Sequence, residues 1–179
     1  YMMCVEEGGF EIIGKKMTLI GAGGAAMAIL VQAALDGVKE VSLFCRHGKS
    51  WNHAQEMTQR LNKETNCKVR LFDLANKELL KKEISESAIL TNATNVGMAP
   101  NEDQSIIEDP TMFHAQLVVS DVIYNPRETK LMKLAKEAGC PTFNGLYMLL
   151  YQGAEAFRLW TGTDMPVAHI KEKYFQEKE

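Results

Sequence analysis

The chain has 179 residues, 46% of them hydrophobic and 24% charged, with a formal net charge of -3. That length suits one domain with a sizeable core, or one domain with a short appendage. The slight acidity gives no electrostatic case for nucleic acid or an anionic membrane as partner, and no apolar run reaches the length of a membrane span. The chain opens Tyr1-Met2-Met3-Cys4, with early acids and no basic leader. This predicts a cytoplasmic protein and a helical or linker lead-in, 1–14, from a longer polypeptide.

Residues 16–20 read as a buried strand that runs into Gly21-Ala22-Gly23-Gly24-Ala25-Ala26. A helix over 24–35 follows, ended by Asp36-Gly37. Strand, glycine turn and helix start in that order are what a dinucleotide pyrophosphate requires. Gly21 allows the tight turn, Gly23 lets backbone approach the phosphates, and Ala26 lets helix and strand pack closely. The free N–H groups and positive dipole end of the helix would face the diphosphate.

A second strand is predicted over 41–45, then a helix capped by Ser50 and running to about 64. Trp51, Ala54, Met57 and Leu61 lie on one face of that helix. Strands at 69–72, 88–93, 117–122 and 141–143 alternate with helices at 76–84 and 128–138, the last closed by Gly139. An apolar helix begins at Gly145, and an amphipathic one spans 166–175 through Val167, Ile170, Tyr174 and Phe175. Its apolar side suits packing on another domain or another chain, a homodimer included. Such alternation predicts an α/β fold: a doubly wound parallel sheet of about six strands, order 3-2-1-4-5-6, with helices on both faces. Residues 15–179 form this Rossmann domain with its C-terminal helices.

Ligands in such sheets lie beyond the carboxyl ends of the strands. An NAD site usually has a carboxylate at the end of the second strand, but here that strand runs into Cys45-Arg46-His47-Gly48-Lys49-Ser50. Glu40 precedes the strand, at the wrong edge. Arg46 suits a 2′-phosphate or the adenine face, with Lys49 as a further charge. NADP is therefore the first choice and NAD the second, against the plainer reading of a solvated basic loop. Cys4, Cys45, Cys67 and Cys140 and the four histidines have no metal-ligand spacing, which predicts reduced thiols and no metal.

The fourth strand ends Thr91-Asn92-Ala93-Thr94-Asn95-Val96-Gly97, the fifth Asp121-Val122-Ile123-Tyr124-Asn125-Pro126, and the sixth leads into Asn144-Gly145 and on to Gln152. With the Gly21 turn, these runs resemble the cofactor-binding half of the shikimate and quinate dehydrogenases, from about residue 15 to the C-terminus. The resemblance implies reversible NAD(P)-dependent oxidation of shikimate or quinate, a cyclitol carboxylate. By position it assigns the pyrophosphate to Ala22, Gly23, Gly24 and Ala25, and the adenosine ribose to Cys45, Arg46, His47 and Gly48. Thr94 and Asn95 would lie beside the cofactor's ribose or nicotinamide end. Val122, Ile123, Tyr124, Asn125 and Gly145 would border the nicotinamide, with Met148 packed against it. Gln152 would contact the cyclitol, and Tyr124 would reach it as well.

Plainer roles compete: a proline turn for 124–126, core packing for Met148, and a backbone partner for the Gln152 amide. Members of the family commonly have Asn-Arg where Cys45-Arg46 stand, and those using NAD as well tend to carry an acid where Gly48 stands. The family's catalytic lysine and aspartate belong to an N-terminal substrate domain that would precede this sequence. No residue here is expected to be catalytic, Asp121 and Lys130 included, so the chain alone is expected to be inactive. The alternative is a non-catalytic nucleotide-sensing or regulatory Rossmann domain. A methylene-tetrahydrofolate dehydrogenase is disfavoured by the Tyr124 and Gly145–Gln152 runs.

Overall fold

Short strands dense in Val, Ile, Leu and Phe have to be covered on both faces, and the chain does this by alternating strand with helix. The computed structural model describes residues 1–175. In chain order the elements are α1 (Met2–Glu7), β1 (Lys16–Ile20), α2 (Gly24–Leu35), β2 (Glu40–Cys45), α3 (Trp51–Glu64), β3 (Lys68–Asp73) and α4 (Lys77–Ser85). They continue with β4 (Ile89–Asn92), a 3-10 turn (Pro110–Met112), β5 (Val118–Asp121), α5 (Lys130–Glu137), β6 (Thr142–Asn144), α6 (Leu146–Thr161) and α7 (Val167–Tyr174).

The six strands form one parallel sheet of order β3-β2-β1-β4-β5-β6. This is the predicted order. Side chains alternate between its faces. Met17, Leu19, Val41, Leu43, Ile89 and Val118 join one buried cluster with residues of α1, α2 and α3. Ile20, Phe44, Leu90 and Val119 join the other with α4 and α5. Residues 1–14 contribute to the first cluster through Val5 and Ile12. The Tyr1 hydroxyl is bonded to Thr91 Oγ1 at 2.6 Å and Ser120 Oγ at 3.1 Å.

Two helix starts differ from expectation. Ser50 stands at the N-cap of α3 in a helical conformation, φ -87° and ψ -8°, and its side chain makes no cap bond. A capping hydroxyl needs extended backbone at that position. The helix expected from residue 128 starts at Lys130, because Thr129 is extended and its Oγ1 accepts from Met132 N. Asn76 caps α4 through Leu79 N at 3.0 Å. Among the described residues no helix is long and apolar enough to cross a membrane.

Candidate functional site

The β1–α2 turn is shaped by what a side chain would meet there. Gly21 has φ +122°, and a Cβ on it would lie 2.5 Å from the Ala93 carbonyl oxygen. Only glycine fits at that crossing of β1 past β4. At Gly23 and Gly24 a Cβ would meet nothing within 4 Å, so the backbone there faces open space. Gly23 is extended at the N-cap of α2, with no side-chain cap and no acid in the first turn. The N–H groups of the first turn have no helical acceptor and point outward. Ala26 is fully buried beneath them.

This turn forms one wall of a cleft of about 460 Å³ at the carboxyl ends of β1, β2 and β4. The cleft gathers Gly21, Ala22 and Gly23 with the loop Cys45, Arg46, His47, Gly48, Lys49 and Ser50. Leu74, Ala93, Thr94 and Asn95 complete it. Arg46 and Lys49 are exposed, and neither joins an ion pair among the described residues. His47 stacks on Trp51 with ring centroids 3.8 Å apart. The Cys45 thiol is buried, and burial, with the Asp73 charge adding to it, pushes its pKa up. That places it among inert thiols.

Sequence reasoning found no acid at this edge. The structure corrects this: Asp73, the last residue of β3, pairs in register with Cys45, and its Oδ2 lies 3.5 Å from His47 Nε2. The expected Asp or Glu of β2 is absent, but a carboxylate arrives from the neighbouring strand. Glu40 does lie at the far edge, as predicted, against Lys16 and Arg70.

A second group of predicted residues borders the ends of β5 and β6. Gly145 N donates to the Ile123 carbonyl at 3.2 Å. A Cβ on Gly145 would fall 1.9 Å from the Val122 carbonyl oxygen, so glycine is required where α6 starts. Met148 and Val122 are half-buried and pack on the core. Tyr124, Asn125 and Gln152 are exposed, Tyr124 by 45%. Gln152 lies one helical turn beyond Met148, on the same side of α6. Its side-chain amide makes no hydrogen bond to the backbone among the described residues and is open to solvent.

The two groups are joined by a buried network that sequence reasoning missed. Asp121 Oδ1 accepts from Asn92 Nδ2 at 3.1 Å and from Ile123 N at 3.0 Å, and its Oδ2 accepts from Thr129 Oγ1 at 2.8 Å. Asn92 Oδ1 in turn accepts from Thr94 N at 3.1 Å and Thr94 Oγ1 at 2.7 Å. The loops after β4 and β5 are thus tied to one carboxylate. Burial pushes the Asp121 carboxyl up, against these bonds, which lower it. Lys130, at the start of α5, lies 3.6 Å from Glu108.

Residues 145–173 match the family model described as the shikimate 5'-dehydrogenase C-terminal domain. The chain is 52% identical over 175 residues to a shikimate dehydrogenase (NADP(+)) of Listeria innocua, covering 98% of this chain and 60% of that protein. It is 44% identical over 172 residues to a quinate/shikimate dehydrogenase of Escherichia coli, covering 96% and 60%. The crystal structure of shikimate 5-dehydrogenase from Listeria monocytogenes in complex with shikimate and NAD superposes with a TM-score of 0.92. That match has 52% identity and covers 96% of this chain and 60% of that one. The chain therefore spans about 60% of the length of these relatives. Over that span its sequence and fold match those of shikimate and quinate/shikimate dehydrogenases.

Proposed function

We propose that this chain is the dinucleotide-holding part of an NAD(P)-dependent dehydrogenase that reversibly oxidises the ring hydroxyl of shikimate, or of quinate, to the 3-dehydro acid. The observation that carries the reading is the backbone at Gly23 and Gly24. It has open space where any side chain would project, at an uncapped helix start beside two unpaired cations. That is a cradle for a diphosphate with a further phosphate nearby.

Gly21, Ala22, Gly23, Gly24 and Ala25 would hold the pyrophosphate with backbone N–H groups. Cys45, Arg46, His47, Gly48 and Lys49 would take the adenosine ribose, with Arg46 forking onto a 2′-phosphate. NADP is accordingly the preferred dinucleotide and NAD the second. Thr94 and Asn95, held by Asn92, would position the middle of the cofactor. Val122, Ile123, Tyr124, Asn125, Gly145 and Met148 would border its nicotinamide. Gln152 and Tyr124 would reach the cyclitol carboxylate. The bound nicotinamide supplies the hydride chemistry.

Oxidation also needs a group to take the hydroxyl proton. Asp121 is buried among three donors and Lys130 faces Glu108, so neither is free for it. This supports a division of labour: residues 15–179 bind and orient the dinucleotide, while proton transfer is supplied by the part of the relatives that this chain does not span. The chain alone is then inactive with shikimate. All four thiols are free and buried, which fits a cytoplasmic protein.

Titration with NADP and NAD tests the reading. Binding of both, NADP tighter, is the expected result, with no reduction of NADP when shikimate is added. Binding of neither would overturn it.

A further inference from the structure

We infer that Asp73 is a specificity-determining residue of the dinucleotide cleft: β3 supplies the carboxylate that the end of β2 lacks, and it offsets the cations there so that NAD is accepted alongside NADP. The inference rests on the dinucleotide reading above.

Position comes first. Asp73 is paired in register with Cys45, and the Leu74 N–H donates to the Cys45 carbonyl at 2.9 Å. The Asp73 backbone is therefore one strand spacing, about 5 Å, from the point where the Cys45–Lys49 loop leaves the sheet. Its neighbour Leu74 lines the cleft.

The two carboxylate oxygens have different partners. Oδ1 accepts from Ala75 N at 2.9 Å and shapes the turn into α4. Oδ2 faces His47 Nε2 at 3.5 Å. The imidazole is stacked on Trp51 at an interplanar angle of 25°, so its plane is held from one face while Asp73 meets its edge. The side chain of Asp73 keeps 39% of its surface exposed, and its charge stands just behind His47 and beside Leu74, both of which line the cleft.

The effect on ligand choice follows from charge. A 2′-phosphate brings between one and two negative charges to this edge, whereas a ribose 2′-hydroxyl brings none and can donate to a carboxylate. A fixed negative charge within about a Debye length, roughly 10 Å at 0.1 M salt, therefore opposes NADP more than NAD. Arg46 and Lys49 act in the opposite sense. The ratio of the two affinities is set by the balance between these cations and Asp73.

Asp73→Asn isolates the charge, because the amide keeps an Oδ1 acceptor for Ala75 N and the turn is preserved. Titrating this chain and its variants with NADP and NAD at low and high salt reads the ratio. In Asp73→Asn the preference for NADP over NAD should rise about three- to tenfold, with the gain shrinking as salt is raised. Asp73→Glu should stay within about twofold of the parent ratio. An unchanged ratio in Asp73→Asn, or an equal loss for both nucleotides, overturns the inference and leaves Asp73 as a turn residue only. A parent chain that binds neither nucleotide overturns the dinucleotide reading itself, and the inference with it.

Discussion

Toward the amino ends of β1, β2 and β3, the charges that are wholly or partly buried are paired with one another. Lys16 lies 2.7 Å from Glu83, 2.6 Å from Glu86 and 3.4 Å from Glu40. Arg70 pairs with Glu40, and Ser42 donates to Glu83 at 2.5 Å. At the carboxyl ends of the same sheet, Arg46 and Lys49 have no carboxylate in ion-pair range among the described residues, and α2 begins with no cap. One end is completed by its own side chains and the other is left with donors and cations facing outward. A fold gains nothing from an end left that way, so the contrast assigns stability to the first and ligand binding to the second.

The largest effect that would break this contrast is at Glu83, whose side chain is only 2% exposed. Glu83→Ala should cost about 3 kcal/mol in urea unfolding, because it removes a buried carboxylate that pairs with Lys16 and accepts from Ser42, and leaves Lys16 only Glu86 and Glu40. The dinucleotide affinity of the folded variant should be unchanged; a large loss would mean that the two ends are not separable. The same residue sets an acid limit. Burial raises the Glu83 carboxyl, but the Lys16 and Ser42 bonds and the Lys16 and Arg70 charges outweigh it and hold it below the usual carboxylate range. A lowered pKa contributes stability that is present above the unfolded value, 4.5, and is lost as pH falls through the folded one. Stability measured from pH 7 downward should therefore hold until about pH 4.5 and then drop, and the drop should be smaller in Glu83→Ala.

Next in size is Gly23→Val. Its side chain would project into open space, so the melting temperature should barely change while dinucleotide affinity falls at least about a hundredfold. Gly21→Val is the control at the other kind of glycine. With φ +122° and the Ala93 carbonyl oxygen 2.5 Å from the new Cβ, it should damage folding first. Unchanged binding in Gly23→Val, measured calorimetrically, would remove the turn from the site.

The contrast between the ends was partly legible in the sequence, and the part that was not has a physical cause. Strand order and the Gly21 turn follow from local periodicity and from the strand-glycine-helix succession, which are short-range properties. Asp73 escaped notice because a search along the chain from the end of β2 cannot show which residue the adjacent strand brings beside it. The anchoring role of Asp121 escaped for the same reason: its three donors come from β4, from its own loop and from the start of α5. Ser50 misled because its residue type suits a cap and its backbone does not. The lead-in, 1–14, has its apolar residues bunched at 1–5 and 10–13 on either side of Gly8-Gly9, which shows no helical period, yet Val5 and Ile12 reach the core.

Smaller again is Arg46→Ala, which should weaken NADP about tenfold and NAD by less than about twofold, since only the former offers a phosphate to the guanidinium. Equal losses, read from paired titrations, would place Arg46 on the adenine and remove the 2′-phosphate from the argument.

The smallest effect is the most pointed, because its two readouts have opposite signs. Lys49 precedes the start of α3, a helix with no acid in its first turn and no side-chain cap. A cation at that position opposes the helix dipole, a cost of a few tenths to about 1 kcal/mol. Lys49→Ala should therefore raise the unfolding free energy slightly while weakening NADP about threefold, the modest range of an exposed charge. The weakening should fade at high salt. A residue that served only the fold would lose on the first measurement, and one that served neither would move on none. Gain in stability with loss of NADP is the pattern of a helix start left uncompensated so that a ligand's phosphate can complete it.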